Sequence, residues 1–95
     1  RYGPAMTAIT FRVEGRVQGV GFRAFTRRSA RAAGVVGWCG NTADGAVEGH
    51  AQGPAEGIDA LVRALHDGPP ASVVRAVTTE PAQVDDTLEA FAIRR

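Results

Sequence analysis

The chain has no lysine, a single cysteine and no long apolar run. Each absence removes a class of function. Without lysine there is no G-K-[ST] and hence no nucleotide-binding P-loop. One cysteine, Cys39, cannot staple a fold or fill a structural zinc site, and this points to a reducing, cytoplasmic setting. No segment approaches the roughly 20 apolar residues of a membrane helix, so no membrane partner is expected. The stretch from Arg1 to Phe11 also lacks the apolar core of a secretory signal.

What remains is globular. The chain has 95 residues, 44% hydrophobic and 22% charged, which disfavours disorder and suits one domain. Arg1–Ala5 precede Met6 without any pattern and are expected to be a leftover or disordered start, with one domain over residues 6–95. The net charge of +1 conceals an asymmetry: residues 1–36 carry +6 and residues 37–95 carry −5. All eleven bases are arginine, and their crowding in the first third concentrates anion-binding capacity there.

Apolar residues alternate at Ile9, Phe11 and Val13, the period of a half-buried strand. Three glycines between Gly15 and Gly21 then break all regularity. A helix follows from Phe22 to Ala33, with Phe22, Phe25, Ser29, Ala30 and Ala33 inward and Gly34 as its stop. Val35–Thr42 and Ala46–Gln52 read as strands joined by the turn Ala43-Asp44-Gly45. Pro54 opens a second helix, marked by the stripe Ile58, Leu61, Val62 and Leu65. Strands at Ser72–Thr79 and Leu88–Arg94 close the chain, giving the order β-α-β-β-α-β with room for an extra short strand at the C-terminus. This predicts an α+β fold, the ferredoxin-like α/β plait. Its two helices lie on one face of a mostly antiparallel sheet of four to five strands.

The segment from Gly15 to Arg23 carries the chemistry. A glycine-rich loop between strand and helix turns several backbone N–H groups into one concavity, at the positive end of a helix. Arg23 in the first turn adds a planar, bidentate donor for phosphate oxygens. The same glycines also serve a plain tight connection. Gly19-Val20-Gly21-Phe22-Arg23-Ala24 matches the dinucleotide pattern G-x-G-x-x-A, but a hairpin follows the helix and the chain is too short for that fold. Asn41, at the end of its strand, suits either a turn cap or a carboxamide that holds a water against an electrophile.

Gly15-Arg16-Val17-Gln18-Gly19-Val20-Gly21-Phe22-Arg23 resembles the G-x-V-Q-G-V-x-F-R signature of the acylphosphatases. Gly37-Trp38-Cys39-Gly40-Asn41, followed by Gly45-Ala46-Val47 and Gly53, resembles their second signature. The resemblance implies hydrolysis of a small acyl phosphate to a carboxylate and inorganic phosphate, by a monomer with no cofactor and no metal. It assigns phosphate binding to Gly15, Arg16, Val17, Gln18, Gly19, Val20 and Arg23, and orientation of the attacking water to Asn41. Gly40 departs from the family pattern, which carries a basic or longer polar side chain there. A weaker pull on the anionic substrate follows if that side chain contributes to it.

Two further readings stand beside this one. The chain also resembles the acylphosphatase-like domain of a hydrogenase-maturation carbamoyltransferase that handles carbamoyl phosphate. A nucleic-acid binder on the same fold needs stacking aromatics on the inner strands, and these supply only Phe11, which is expected to face inward. A cysteine phosphatase needs an arginine six positions after Cys39, and that position is Gly45. His50 and His66 are expected at the surface, Trp38 in the core, and Arg27, Arg28 and Arg31 on a solvated helix face.

Overall fold

The computed structural model describes residues 6–94. Arg1–Ala5, read above as a leftover or disordered start, lie outside the described residues, as does Arg95. The order is β1 (Met6–Arg16), α1 (Phe22–Ala32), β2 (Val36–Asn41), β3 (Val47–Pro54), α2 (Ala55–Asp67), β4 (Val73–Pro81) and β5 (Phe91–Arg94). The strands form one sheet in the order β4-β1-β3-β2-β5. The fold is the ferredoxin-like plait. Its fifth strand runs parallel to β2, with Cys39 opposite Ile93, so the sheet is mixed at that edge alone. Alternation along a strand does not encode the direction of its neighbour, so this pairing was not legible in the pattern.

Both helices cover one face. Phe11 and Val13 of β1, Val47 and Ala51 of β3 and Cys39 of β2 share a core with Phe22 and Ala30 of α1 and Ile58, Leu61 and Leu65 of α2. In α1, Phe22 and Ala30 are buried as expected, while Phe25, Ser29 and Ala33 are only half-buried. Thr26 is fully buried instead, because its hydroxyl donates to the carbonyl of Phe22 at 2.9 Å and so arrives already satisfied. α2 begins at Ala55, and the extended backbone of Pro54 makes it the N-cap residue and not part of the first turn.

The opposite face is crossed by the connection from β4 to β5. Gln52 anchors it there: its Nε2 donates to the carbonyl of Asp85 and its Oε1 accepts from the N–H of Asp85, both at 2.9 Å. His50 Nε2 lies 2.8 Å from the same Oε1, so the imidazole is the donor and is buried under the crossing segment. This corrects the expectation of a surface His50; His66 is exposed. Trp38 is also off the core. It lies half-exposed on this face with the guanidinium of Arg94 4.2 Å from its ring centroid, a cation–π contact. No helix of the described residues is long and apolar enough to cross a membrane.

Candidate active site

β1 and α1 are joined by a loop whose course depends on two glycines. Gly19 and Gly21 have φ of 76° and 80°, left-handed values that side chains rarely adopt. Gly21 is the N-cap residue of α1, with no side-chain cap and no acid in the first turn. The first helical bond runs from the N–H of Phe25 to the carbonyl of Gly21. The N–H groups of Phe22, Arg23 and Ala24 are therefore left without intrahelical partners and point out of the helix end. An arginine at this end opposes the helix dipole, and an anion bound there relieves both defects at once.

A cavity of about 290 Å³ opens at this point. Val17, Gly19, Gly21 and Phe22 supply its loop side, Arg23 and Ala24 its helix side, and Asn41 and Ile93 its sheet side. Arg23 and Asn41, eighteen positions apart, thus meet across one space. Arg23 is the only ionisable side chain in the lining. Of the loop residues expected to bind phosphate, Val17 and Gly19 line the cavity. Gly15 and Arg16 do not: they belong to the end of β1, beyond a register shift against β4, and pair with Val74 and Val73. Gln18 and Val20 are likewise outside the lining.

The carboxamide of Gln18 has a different task. Its Nε2 donates to the carbonyls of Thr42 (2.8 Å) and Ala46 (2.9 Å), across to the turn that follows Asn41. The loop and the strand end bearing Asn41 are thereby clamped together. That turn is held again by Thr42, whose hydroxyl donates to a carboxylate oxygen of Asp44 and accepts from the N–H of Ala46. Arg12 completes the latch, with Nη2 2.6 Å from Asp44 and Nε 2.8 Å from Glu14. The Thr42 hydroxyl and then Arg12 hold the Asp44 carboxyl below the usual range, and the two acids raise Arg12.

Cys39 lies beneath the helix start, buried, with its Sγ 3.8 Å from the carbonyl of Arg23. Burial pushes its thiol up to about 11 despite the opposing charges of Arg23 and Arg27, so it is no nucleophile at neutral pH. Gly40 alternates away from Cys39 and Asn41, and a Cβ there would come within 3.1 Å of the Arg94 carbonyl. The side chain that the family pattern places at this position would therefore stand on the face opposite the cavity. Ile93 entered the lining unannounced, since only the parallel pairing of β5 brings it there. Among the described residues no three His, Cys, Asp or Glu side chains gather as a metal centre requires.

The family model described as acylphosphatase matches residues 9–93. A curated acylphosphatase of Salinibacter ruber is 44% identical over 87 residues, covering 92% of each chain. The solved structure of an acylphosphatase from Coxiella burnetii superposes with a TM-score of 0.89 at 37% identity, over 94% of this chain and 93% of that one. A full-length HypF, solved with phosphate and nucleotide bound, superposes at 0.86 and 25% identity; this chain spans 12% of its length.

Proposed function

The chain belongs to the acylphosphatase family and hydrolyses acyl phosphates, and from that premise we propose that Arg23 and Asn41 carry the reaction without a metal ion. The observation behind this reading is that the two side chains share one cavity, at a helix start with free N–H groups. Arg23 and the N–H groups of the loop and first turn hold the phosphoryl oxygens. The carboxamide of Asn41 holds the attacking water in line with the bond that breaks.

The chemistry asks for little else. The leaving group is a carboxylate, whose conjugate acid has a pKa of about 4.3 in the manner of glutamate, so it departs without a proton. Phosphoryl transfer depends chiefly on positioning and on charge stabilisation. Arg23 is the only ionisable group in the lining among the described residues, which fits transfer of the water's proton to a phosphoryl oxygen of the substrate itself. Water thus supplies the new P–O bond, the acyl C–O–P bridge breaks at phosphorus, and the products are a carboxylate and inorganic phosphate. A buried single thiol fits a cytoplasmic setting.

The test is hydrolysis of acetyl phosphate in excess chelator. Undiminished turnover is expected, with poor cleavage of phosphate monoesters, whose leaving groups are much more basic. Loss of activity on chelation, restored by a divalent metal, refutes the metal-free mechanism. Identity to HypF, at 25%, is lower than to the Salinibacter protein at 44%, and this favours acyl phosphates in general over carbamoyl phosphate as substrates.

A further inference from the structure

α1 carries Arg23, Arg27, Arg28 and Arg31 and not one acid. Arg23 and Arg27, and again Arg27 and Arg31, are like charges four residues apart, each pair mildly unfavourable to the helix. Arg28 and Arg31 are exposed and solvated, as a polar helix face should be. Arg27 is different: it is half-buried, and the ion pairs found among the described residues are both made by Arg12.

Its position is set by helix geometry. At 100° per residue, Arg27 projects about 40° from Arg23 in the direction of Ala24, and both of those residues line the cavity. It stands one turn, about 6 Å, further along the axis. Helical side chains lean back toward the N-terminus, so Arg27, itself outside the cavity lining, has the turn containing Arg23 within reach. The charge of Arg27 also reaches the buried thiol of Cys39, just under the carbonyl of Arg23.

We propose that Arg27 forms a second anion subsite beside the phosphoryl site, selecting acyl phosphates whose acyl group ends in a carboxylate. This rests on Arg23 holding the phosphoryl group. With the phosphorus at Arg23 and the acyl group running from the loop along the helix, as the subsite requires, a distal carboxylate about one helical turn away meets Arg27. The half-acyl phosphate of a four-carbon dicarboxylic acid has that reach; an acetyl group does not. The planar guanidinium suits a bidentate pair with the carboxylate, and the partly dry surroundings strengthen it.

The experiment compares kcat/KM for succinyl phosphate and acetyl phosphate in the parent, Arg27→Gln, Arg27→Lys and Arg31→Gln, each first shown to be folded by circular dichroism. The parent is expected to prefer succinyl phosphate. Arg27→Gln should lower the succinyl-to-acetyl ratio about tenfold, through KM for succinyl phosphate, because ground and transition states bind the distal carboxylate alike. Arg27→Lys should retain part of the ratio, and Arg31→Gln should leave it within about twofold, since its exposed charge is screened by solvent. An unchanged ratio in Arg27→Gln overturns the subsite. Equal losses on both substrates also overturn it, because Arg27 then acts on the phosphoryl group. A parent inactive on acetyl phosphate refutes the catalytic reading beneath it instead.

Discussion

Replacing Gln18 by leucine keeps the bulk of the side chain and removes the clamp between the phosphate loop and the turn after Asn41. Two hydrogen bonds disappear, to the carbonyls of Thr42 and Ala46. Neither carbonyl is orphaned. Thr42 still receives the N–H of Gly45 at 3.3 Å, and Ala46 still receives the N–H of Thr42 at 2.9 Å. The loss is therefore the net value of two bonds without a full desolvation penalty, about 1–2 kcal/mol. In a domain of this size that lowers Tm by about 5–15 °C. The functional loss should be larger than the stability loss suggests. Once the loop and strand end move independently, Arg23 and Asn41 lose their spacing, and a misplacement of about 1 Å costs up to about 100-fold in rate. Thermal melting and steady-state kinetics on acetyl phosphate, the latter well below the lowered Tm, read the two effects separately. A variant that melts with the parent refutes the clamp. One that melts early but keeps its kcat refutes the coupling of loop to Asn41, and leaves Gln18 as a purely structural tie.

Arg23→Ala and Arg23→Lys should both lose at least about 100-fold in activity, the scale of one preorganised donor, since lysine keeps the charge but not the planar fork; near-parental turnover in Arg23→Lys refutes the bidentate role. Asn41→Ala, if circular dichroism shows it folded, should lose kcat while KM and competitive inhibition by inorganic phosphate stay near parental values. Loss of phosphate inhibition to the extent seen in Arg23→Ala would instead make Asn41 a phosphate ligand. Cys39 should resist alkylation at pH 8 in the native protein and react fully after unfolding. Its thiol is raised to about 11 in the fold, so the unfolded chain ionises first, and stability should fall as pH rises from about 8.5 toward that value. A melting profile over that range unchanged in Cys39→Ala assigns the slope to other groups.

The parts of the fold that were legible are those in which one residue pattern has one packing solution. Of the stripe Ile58, Leu61, Val62 and Leu65, all but the half-buried Val62 are buried, and so are Phe11 and Val13. Gly34, with φ of 71°, ends α1 where its position suggested. Arg23 and Asn41 stood out because two short motifs carried them, and the fold brings both to one cavity. The misreadings share a cause: polarity alone does not say which way a polar residue faces. His50 looked like a surface residue, yet a partner at Gln52 and the crossing segment make burial affordable to it. Trp38 looked like core, yet strand alternation sends it to the face opposite Cys39, where Arg94 covers it. Gln18 sits in the phosphate motif, but its carboxamide is spent on two carbonyls of a distant turn, a partnership invisible before the chain is folded.

The strand order has a consequence in time as well as in space. β1 lies between β3 and β4, so its partner on one side comes from about sixty residues later, as in the pairing of Glu14 with Ala76. The cavity wall closes only when the connection from β4 has crossed the sheet and β5, paired with β2, has delivered Ile93 beside Cys39. Three of the four strand pairings, all but the β2–β3 hairpin, therefore wait on loop closure over long stretches of chain, which makes folding slower than that of a helical bundle of the same length. Arg23 and Asn41 belong to the first half of the sequence, but the space between them is walled by Ile93, from the other end of the chain.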